Sequence, residues 1–222
     1  MLSTAPGYPN SVEGLATHIE QPRLPELLQQ FLYSQLDPNA QEDIPIESCP
    51  DFMGRVSVHH SAVARFYAPS DLCGTGGMHQ ERIRSNPNWH EGYARNDTVF
   101  VGMAAGEGQH GMQGLVIARV RLFFTFKLDT KPYSCALVEW FISGDEPDED
   151  TGMWVVRPEF HPNGQRAMDV INVDSIVRAA HLLPVFRASL IPSRLHFSNA
   201  LDVFHAYFVN NYIDHHCNEF LS

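Results

Sequence analysis

The densest chemistry in the sequence lies between Arg82 and Arg95, where Arg82, Arg84 and Arg95 interleave with Trp89 and Tyr93. Guanidinium groups bind phosphate through paired N–H donors, and aromatic rings stack on unpaired bases. The combination therefore suits contact with a nucleic-acid strand, although a surface loop whose aromatics cover the core has the same composition. The histidine groups are less ordered. His59-His60 and His215-His216-Cys217 are the obvious clusters, but sequence neighbours point apart, and no spacing matches a structural or catalytic zinc set. No metal and no cofactor is expected. Cys73 or Cys217 with a histidine would make a nucleophile pair, yet nothing in the sequence selects one, and inert thiols are the plainer account. Gly74-Thr-Gly-Gly77 resembles an anion-binding turn but lacks the Lys-Ser/Thr that would follow it, so it reads as a turn only. Asp97, Glu139 and Asp174 lie in or beside apolar strands, and three such acids could hold two divalent ions for phosphoryl transfer. Glu139 is the acid expected to be partly buried, paired with Arg119 or Arg121 on the neighbouring strand.

These residues must be held by a chain of 222 residues, 44% hydrophobic, with 26 Asp+Glu against 15 Lys+Arg. That suffices for one good-sized core. The net charge of -11 disfavours the whole surface as a nucleic-acid glove, while leaving room for a local basic patch. The four cysteines are far apart and form no C-x-x-C pair, which reads as reduced thiols in an intracellular protein, nuclear or cytoplasmic. No apolar run is long enough to span a bilayer, so no membrane is expected.

The positioning elements centre on residues 115–160. Val116, Ala118, Val120, Leu122, Phe124, Phe126 and Leu128 occupy every even position of the first run. That period of two predicts a long strand with one buried and one largely wetted face. Asp129-Thr-Lys-Pro132 is turn chemistry, 135–142 returns apolar on both faces, and 153–156 is a third short strand, so the three form an antiparallel meander. Upstream, helices are expected from Ser11 and around Pro25, the second with apolar Leu24, Leu27, Leu28, Phe31, Leu32 and Leu36 on one side. Residues 37–54 read as a linker, and 55–68 as one or two strands. Residues 78–84 read as a helical turn, 98–101 as a strand, and 102–114 as a glycine-rich loop. Downstream the sequence predicts a strand at 167–173, a helical crossing at 174–180, a strand at 182–186, and a final helix capped by Ser198. The fold class is α+β. An antiparallel β-rich core (55–197), curled into a partly closed barrel, carries an N-terminal helical hairpin and linker (1–54) and a C-terminal helix (198–222), all in one structural unit.

Six strings support a resemblance: Ala68-Pro-Ser-Asp-Leu-Cys-Gly-Thr-Gly-Gly-Met78, Arg82-Ile-Arg84 with Trp89, Ala118-Arg-Val-Arg-Leu-Phe-Phe124, Cys135-Ala-Leu-Val138 with Trp140-Phe141, Asp148-Glu-Asp-Thr-Gly-Met-Trp-Val-Val156, and Val209-Asn-Asn-Tyr-Ile-Asp-His-His216. They resemble the C-terminal region of the transposase-type proteins of Plavaka elements, CACTA-like DNA transposons of mushroom-forming fungi. The resemblance runs from about Leu2 to Phe220. It implies that the family's metal-dependent DDE nuclease lies upstream, so no catalytic residue is carried onto these positions. Separately, 173–185 is similar to the closing strands of bromo-adjacent-homology (BAH-like) and other SH3-like barrels, which bind chromatin peptides or proteins. The expectation is a non-catalytic interaction module of transposon origin. Its partner would be a protein or chromatin peptide, met by barrel aromatics such as Trp140, Phe141 or Trp154. The alternatives are a DNA-contacting accessory domain using Arg82, Arg84, Trp89 and Arg95, and a metal-dependent nuclease or hydrolase.

Overall fold

The hairpin formed by β6 (Leu115–Leu128) and β7 (Lys131–Ser143) is the axis of the molecule. The computed structural model describes residues 4–36, 49–69, 76–90, 92–102, 112–186 and 193–221. Asp129 makes the turn between the two strands with φ 54°, a left-handed conformation that Asp tolerates better than most residues. Each long strand is flanked on its outer side by two short ones laid end to end. Beside β6 are β5 (Thr98–Gly102) and β1 (Val56–His59). Beside β7 are β8 (Val155–Pro158) and β9 (Met168–Asn172). All these pairings are antiparallel, as the meander predicts.

The curling follows from one continuous run. β10 (Ile176–Ala180) pairs with β5, and two residues on β11 (Leu182–Pro184) pairs with β12 (Tyr207–Val209), which pairs with β8. The run 176–184 thus joins the two ends of the sheet, and the Asn210 N–H donates to the His181 carbonyl at the junction (2.9 Å). The partly closed barrel is filled by Phe100, Ile117, Phe141, Val156, Ala180, Tyr207 and Val209, drawn from six of its strands.

Two further cores lie outside the barrel, and β6 supplies both. Leu122, Phe124 and Phe126 pack under α1 (Val12–His18) and α2 (Leu24–Leu36). Val116, Ala118, Val120 and Phe123 pack against a second sheet, in which β2 (Ser61–Tyr67) pairs with β3 (Met78–Trp89) and β3 with β4 (Tyr93–Asn96). The period-two expectation of a single buried face is corrected here. A bulge between Val120 and Leu122 inserts Arg121 as an extra residue, and a bulge exchanges the faces beyond it. The even positions stay apolar throughout because they change cores at the bulge. The odd face is buried too, by Ile117 inside the barrel and Phe123 under the second sheet.

Other elements differ from expectation for local reasons. Residues 78–84 are strand, not helical turn, because Met78 through Arg84 pair in register with Tyr67 through Ser61. The crossing at 174–180 is a 3-10 turn (Val173–Ser175) followed by β10. The single final helix is instead a 3-10 turn at Phe197–Asn199, α3 (Ala200–Val203), β12 and α4 (His215–Leu221). Closure of the sheet by β12 outweighs the helical spacing of Leu201, Phe204 and Phe208. The N-terminal segment is tied down from Thr4 onward, with the Ala5 N–H donating to Val58 (2.7 Å). Most of the expected linker, of the glycine turn at 73–77 and of the loop at 102–114 lies outside the described residues. Among the described residues no helix is long and apolar enough to cross a membrane.

Candidate functional site

The ribbon of β3 and β4 brings the basic-aromatic residues together. The Arg84 guanidinium lies 4.7 Å from the centre of the Trp89 ring and that of Arg95 lies 5.2 Å from it. A bulge between Asn86 and Trp89 lets the strand bend there, so that Pro87, which has no N–H for the ladder, is accommodated. Arg95 is anchored by Asp97, with Nε donating to Oδ1 at 2.7 Å. Arg82 donates to the Ser61 hydroxyl at 3.2 Å. Burial pushes the Arg84 pKa down, and the nearby Arg95 and Arg82 push it further, against the pull of Asp97. Positive charge is thus crowded on this ribbon, an electrostatic setting that favours an arriving anion.

Beside the ribbon is a cavity of about 560 Å³. Trp89, Tyr93 and Arg95 form one wall, Phe197 and Leu201 the other, and Arg119 also lines it. Tyr93 is 50% exposed and Phe197 76%, with ring centres 5.1 Å apart in an edge-to-face arrangement. His196 lies against both rings. Adjacent at the mouth of the cavity, the two rings offer an accessible aromatic surface to a ligand. A second cavity of about 470 Å³ shares Arg95 with the first and includes Arg82.

Arg119 belongs to an ionic cluster at one end of the barrel interior. It sits two residues beyond Ile117 on the same face of β6, directly opposite Glu139 on β7. Glu139 lies 3.9 Å from Arg119, 3.6 Å from Arg121 and 3.9 Å from Arg166, which matches the pairing expected from sequence. Asp202, on α3, meets Arg119 at 2.5 Å. Among the described residues, three guanidiniums thus share two carboxylates. The Arg119 Nε and the Arg166 Nη1 are buried and have no hydrogen-bond partner among the described residues. Burial lowers the Arg166 pKa, opposed by Glu139 and reinforced by Arg119. The α3 segment is held in place by Tyr207, whose single hydroxyl proton is shared between the Ala200 and Phe204 carbonyl oxygens (2.9 and 3.0 Å). Burial raises that phenol's pKa to about 12, so it stays protonated as a donor.

The aromatics expected to meet a partner are dispersed. Phe141 is in the barrel interior, 4% exposed. Trp140, next to it on β7, points the opposite way, and its indole N–H donates to Asp169 at 2.6 Å. Trp154 packs partly buried against the barrel core. None of the three lines either cavity. Among the described residues no three His, Cys, Asp or Glu side chains converge as a metal site. His59 bonds Thr125 while His60 bonds Tyr8, on separate sides. Asp97 is taken by Arg95 and Glu139 by its three arginines, and Asp174 stands exposed on a turn. Cys217 is buried with its thiol toward the Asn210 carbonyl, and Cys73 lies outside the described residues.

Sequence reasoning did not reach Arg119 as a cavity residue, nor Phe197, Leu201 and Asp202 as its neighbours. Arg119 had a signal, a charge inside an otherwise apolar stretch of β6. The others had none, because their approach to β4 depends on the path of the chain through β10, β11 and β12. No known protein-family model matches this chain, and no curated protein matches it.

Proposed function

We propose that the protein is a non-catalytic, nucleic-acid-binding accessory module of transposon origin that works in the nucleus and binds a single strand through the β3–β4 ribbon. The observation that carries this reading is Trp89 flanked by Arg84 and Arg95 at the rim of a cavity with exposed Tyr93 and Phe197. Cations spaced along a ribbon suit phosphates, and accessible rings suit unpaired bases, which duplex DNA does not offer. The overall charge of -11 is compatible with a short local interface and opposes wrapping. Six strings similar to Plavaka-type proteins support the origin, and the same resemblance implies a nuclease upstream.

The test is fluorescence anisotropy of a labelled single-stranded oligonucleotide titrated with protein at several salt concentrations. Affinity should fall as salt rises. Each phosphate neutralised on a single strand adds about 0.7 to the log–log slope, so Arg82→Ala/Arg84→Ala should flatten it by about 1.4. Binding with no salt dependence would end the proposal. A second reading, a basic protein or chromatin peptide as partner, is favoured by the acidic total and by β4, which ends its three-stranded sheet and so offers an edge for an added strand. It predicts capture of a basic peptide that survives Arg82→Ala/Arg84→Ala.

A further inference from the structure

We infer that the cavity between β4 and α3 is a subsite for one phosphorylated nucleotide, with the base against Tyr93 and Phe197 and the phosphate on Arg119, in the place now taken by Asp202. This rests on the nucleic-acid reading above and deepens it. Four observations lead here.

The volume, about 560 Å³, lies within the range of about 300–1,000 Å³ typical of small-ligand sites. The mouth carries two exposed rings and the wall a cation that is only 5% exposed. An apolar rim with a buried charge behind it matches a ligand with an aromatic part and an anionic part. Among the described residues the charges around Arg119 do not balance, since Arg119, Arg121 and Arg166 share Glu139 and Asp202. A buried guanidinium with an unsatisfied Nε retains capacity for another acceptor, and a phosphate offers several oxygens where a carboxylate offers two.

The fourth observation concerns Asp202. Its side chain is 53% exposed while its Arg119 partner is 6% exposed. A half-exposed carboxylate on a four-residue helix can leave for solvent at small cost, whereas Glu139, 10% exposed on β7 between β6 and β9, cannot. Asp202 therefore acts as an internal stand-in for the ligand's phosphate. Its displacement would free Leu201 and Phe197 on the same segment to close against the base. Binding and movement of 197–203 are then one event.

The experiment is calorimetric titration of the full chain with thymidine 5′-monophosphate, thymidine and inorganic phosphate, beside anisotropy of one oligonucleotide with and without a 5′-phosphate. The monophosphate should bind more tightly than thymidine or phosphate alone. Asp202→Asn should tighten the monophosphate about fivefold, the order expected for removing one solvent-exposed like charge about 4 Å away at a dielectric close to that of water, and leave thymidine unchanged. Tyr93→Ala, at a position half open to solvent, should weaken the monophosphate and leave inorganic phosphate unchanged. A preference for the 5′-phosphorylated oligonucleotide assigns the subsite to a strand end. Monophosphate binding without that preference assigns it to a free nucleotide. Asp202→Asn that melts like the parent yet binds the monophosphate no more tightly overturns the inference. So does oligonucleotide binding with no monophosphate binding and no 5′-phosphate preference, a result that leaves the ribbon's role standing. Failure of every nucleotide ligand overturns both.

Discussion

Replacing Glu139 by Gln should destabilise the protein by about 3–5 kcal/mol, the usual cost of removing one member of a buried ionic group. The side chain is 10% exposed, and its oxygens stand 3.6, 3.9 and 3.9 Å from Arg121, Arg119 and Arg166. At an effective dielectric of about 20, each pair contributes about 4 kcal/mol of attraction. That gross sum is offset by the several kcal/mol needed to dehydrate each ion and by repulsion among the guanidiniums. Gln is isosteric, so the core loses no volume, and the effect reports charge alone. Arg119 would keep Asp202, but Arg166 would be left with no carboxylate within 4 Å among the described residues. For a chain of this length each kcal/mol shifts the midpoint by about 2–4 °C, so Tm should fall by about 6–20 °C. The assay is urea unfolding followed by tryptophan fluorescence, repeated at high salt. Because the charges are buried, most of the loss should persist when the Debye length is reduced to about 3 Å. Glu139→Gln/Arg166→Met should recover part of it, since it removes the stranded charge as well. A loss below about 1 kcal/mol, or one that vanishes in salt, would show that solvent reaches the cluster and that the argument for a buried charge imbalance is wrong.

Two further predictions concern titration. Burial lowers the pKa of His60 and of His216, the latter also through the neighbouring Arg178. The unfolded chain then binds more protons below pH of about 6.5, so the urea midpoint should decline as pH falls through that value, and His60→Gln should flatten the decline. Burial alone would raise Asp214, but hydrogen bonds from Arg178 and from the Cys217 N–H bring its pKa below the ordinary value. Its contribution is present above the unfolded carboxyl pKa of about 3.9 and is lost as pH falls through the lower folded value, a second step that Asp214→Asn should remove. Burial raises the Cys135 thiol to about 12 and the Cys217 thiol to about 11. Neither should react with a thiol reagent at mild alkaline pH in the native state, and both should react in urea. Native labelling of Cys217, located by mass spectrometry, would reopen the cysteine-nucleophile reading.

Much of the central architecture was legible because it is written in local signals. The spacing of Leu24, Leu27, Leu28, Phe31 and Leu32 marks α2, and the same residues are buried in the structure. The turn residues at 129–132 and the apolar runs around them mark the β6–β7 hairpin. What was not legible depended on distant partners. Met78 to Arg84 lacks any strong strand signature and is made a strand by β2. The bulge at Arg121 leaves no trace in the hydropathy pattern, because both cores accept apolar residues at even positions. Among the site residues, the interleaving of Arg84, Trp89 and Arg95 was visible, and their rings and guanidiniums do meet. The opposite wall was hidden, since the helical spacing of Leu201, Phe204 and Phe208 is misleading where β12 completes the barrel.

The register of β6 accounts for the position of the site. A straight β6 with one buried face would place Arg119 on the wetted side, where a guanidinium is fully hydrated and carries little excess potential. The first half of β6 instead turns Ile117 into the barrel, and Arg119, two residues on, comes to the barrel's end opposite Glu139. There it is dehydrated by the closing strands, with Tyr207 and α3 beside it. The bulge lets the even positions stay apolar on both sides of it, while Ile117 and Arg119 in the first half face the barrel. Deleting Arg121 should remove the bulge while Val120 keeps Val138 and Leu122 keeps Leu137 as partners, so each apolar side chain of β6 stays in its core, Arg119 stays opposite Glu139, and the native fold should form with less local twist. Circular dichroism of that variant showing loss of native structure would mean that the extra twist of the bulge, and not the register alone, is needed to close the barrel.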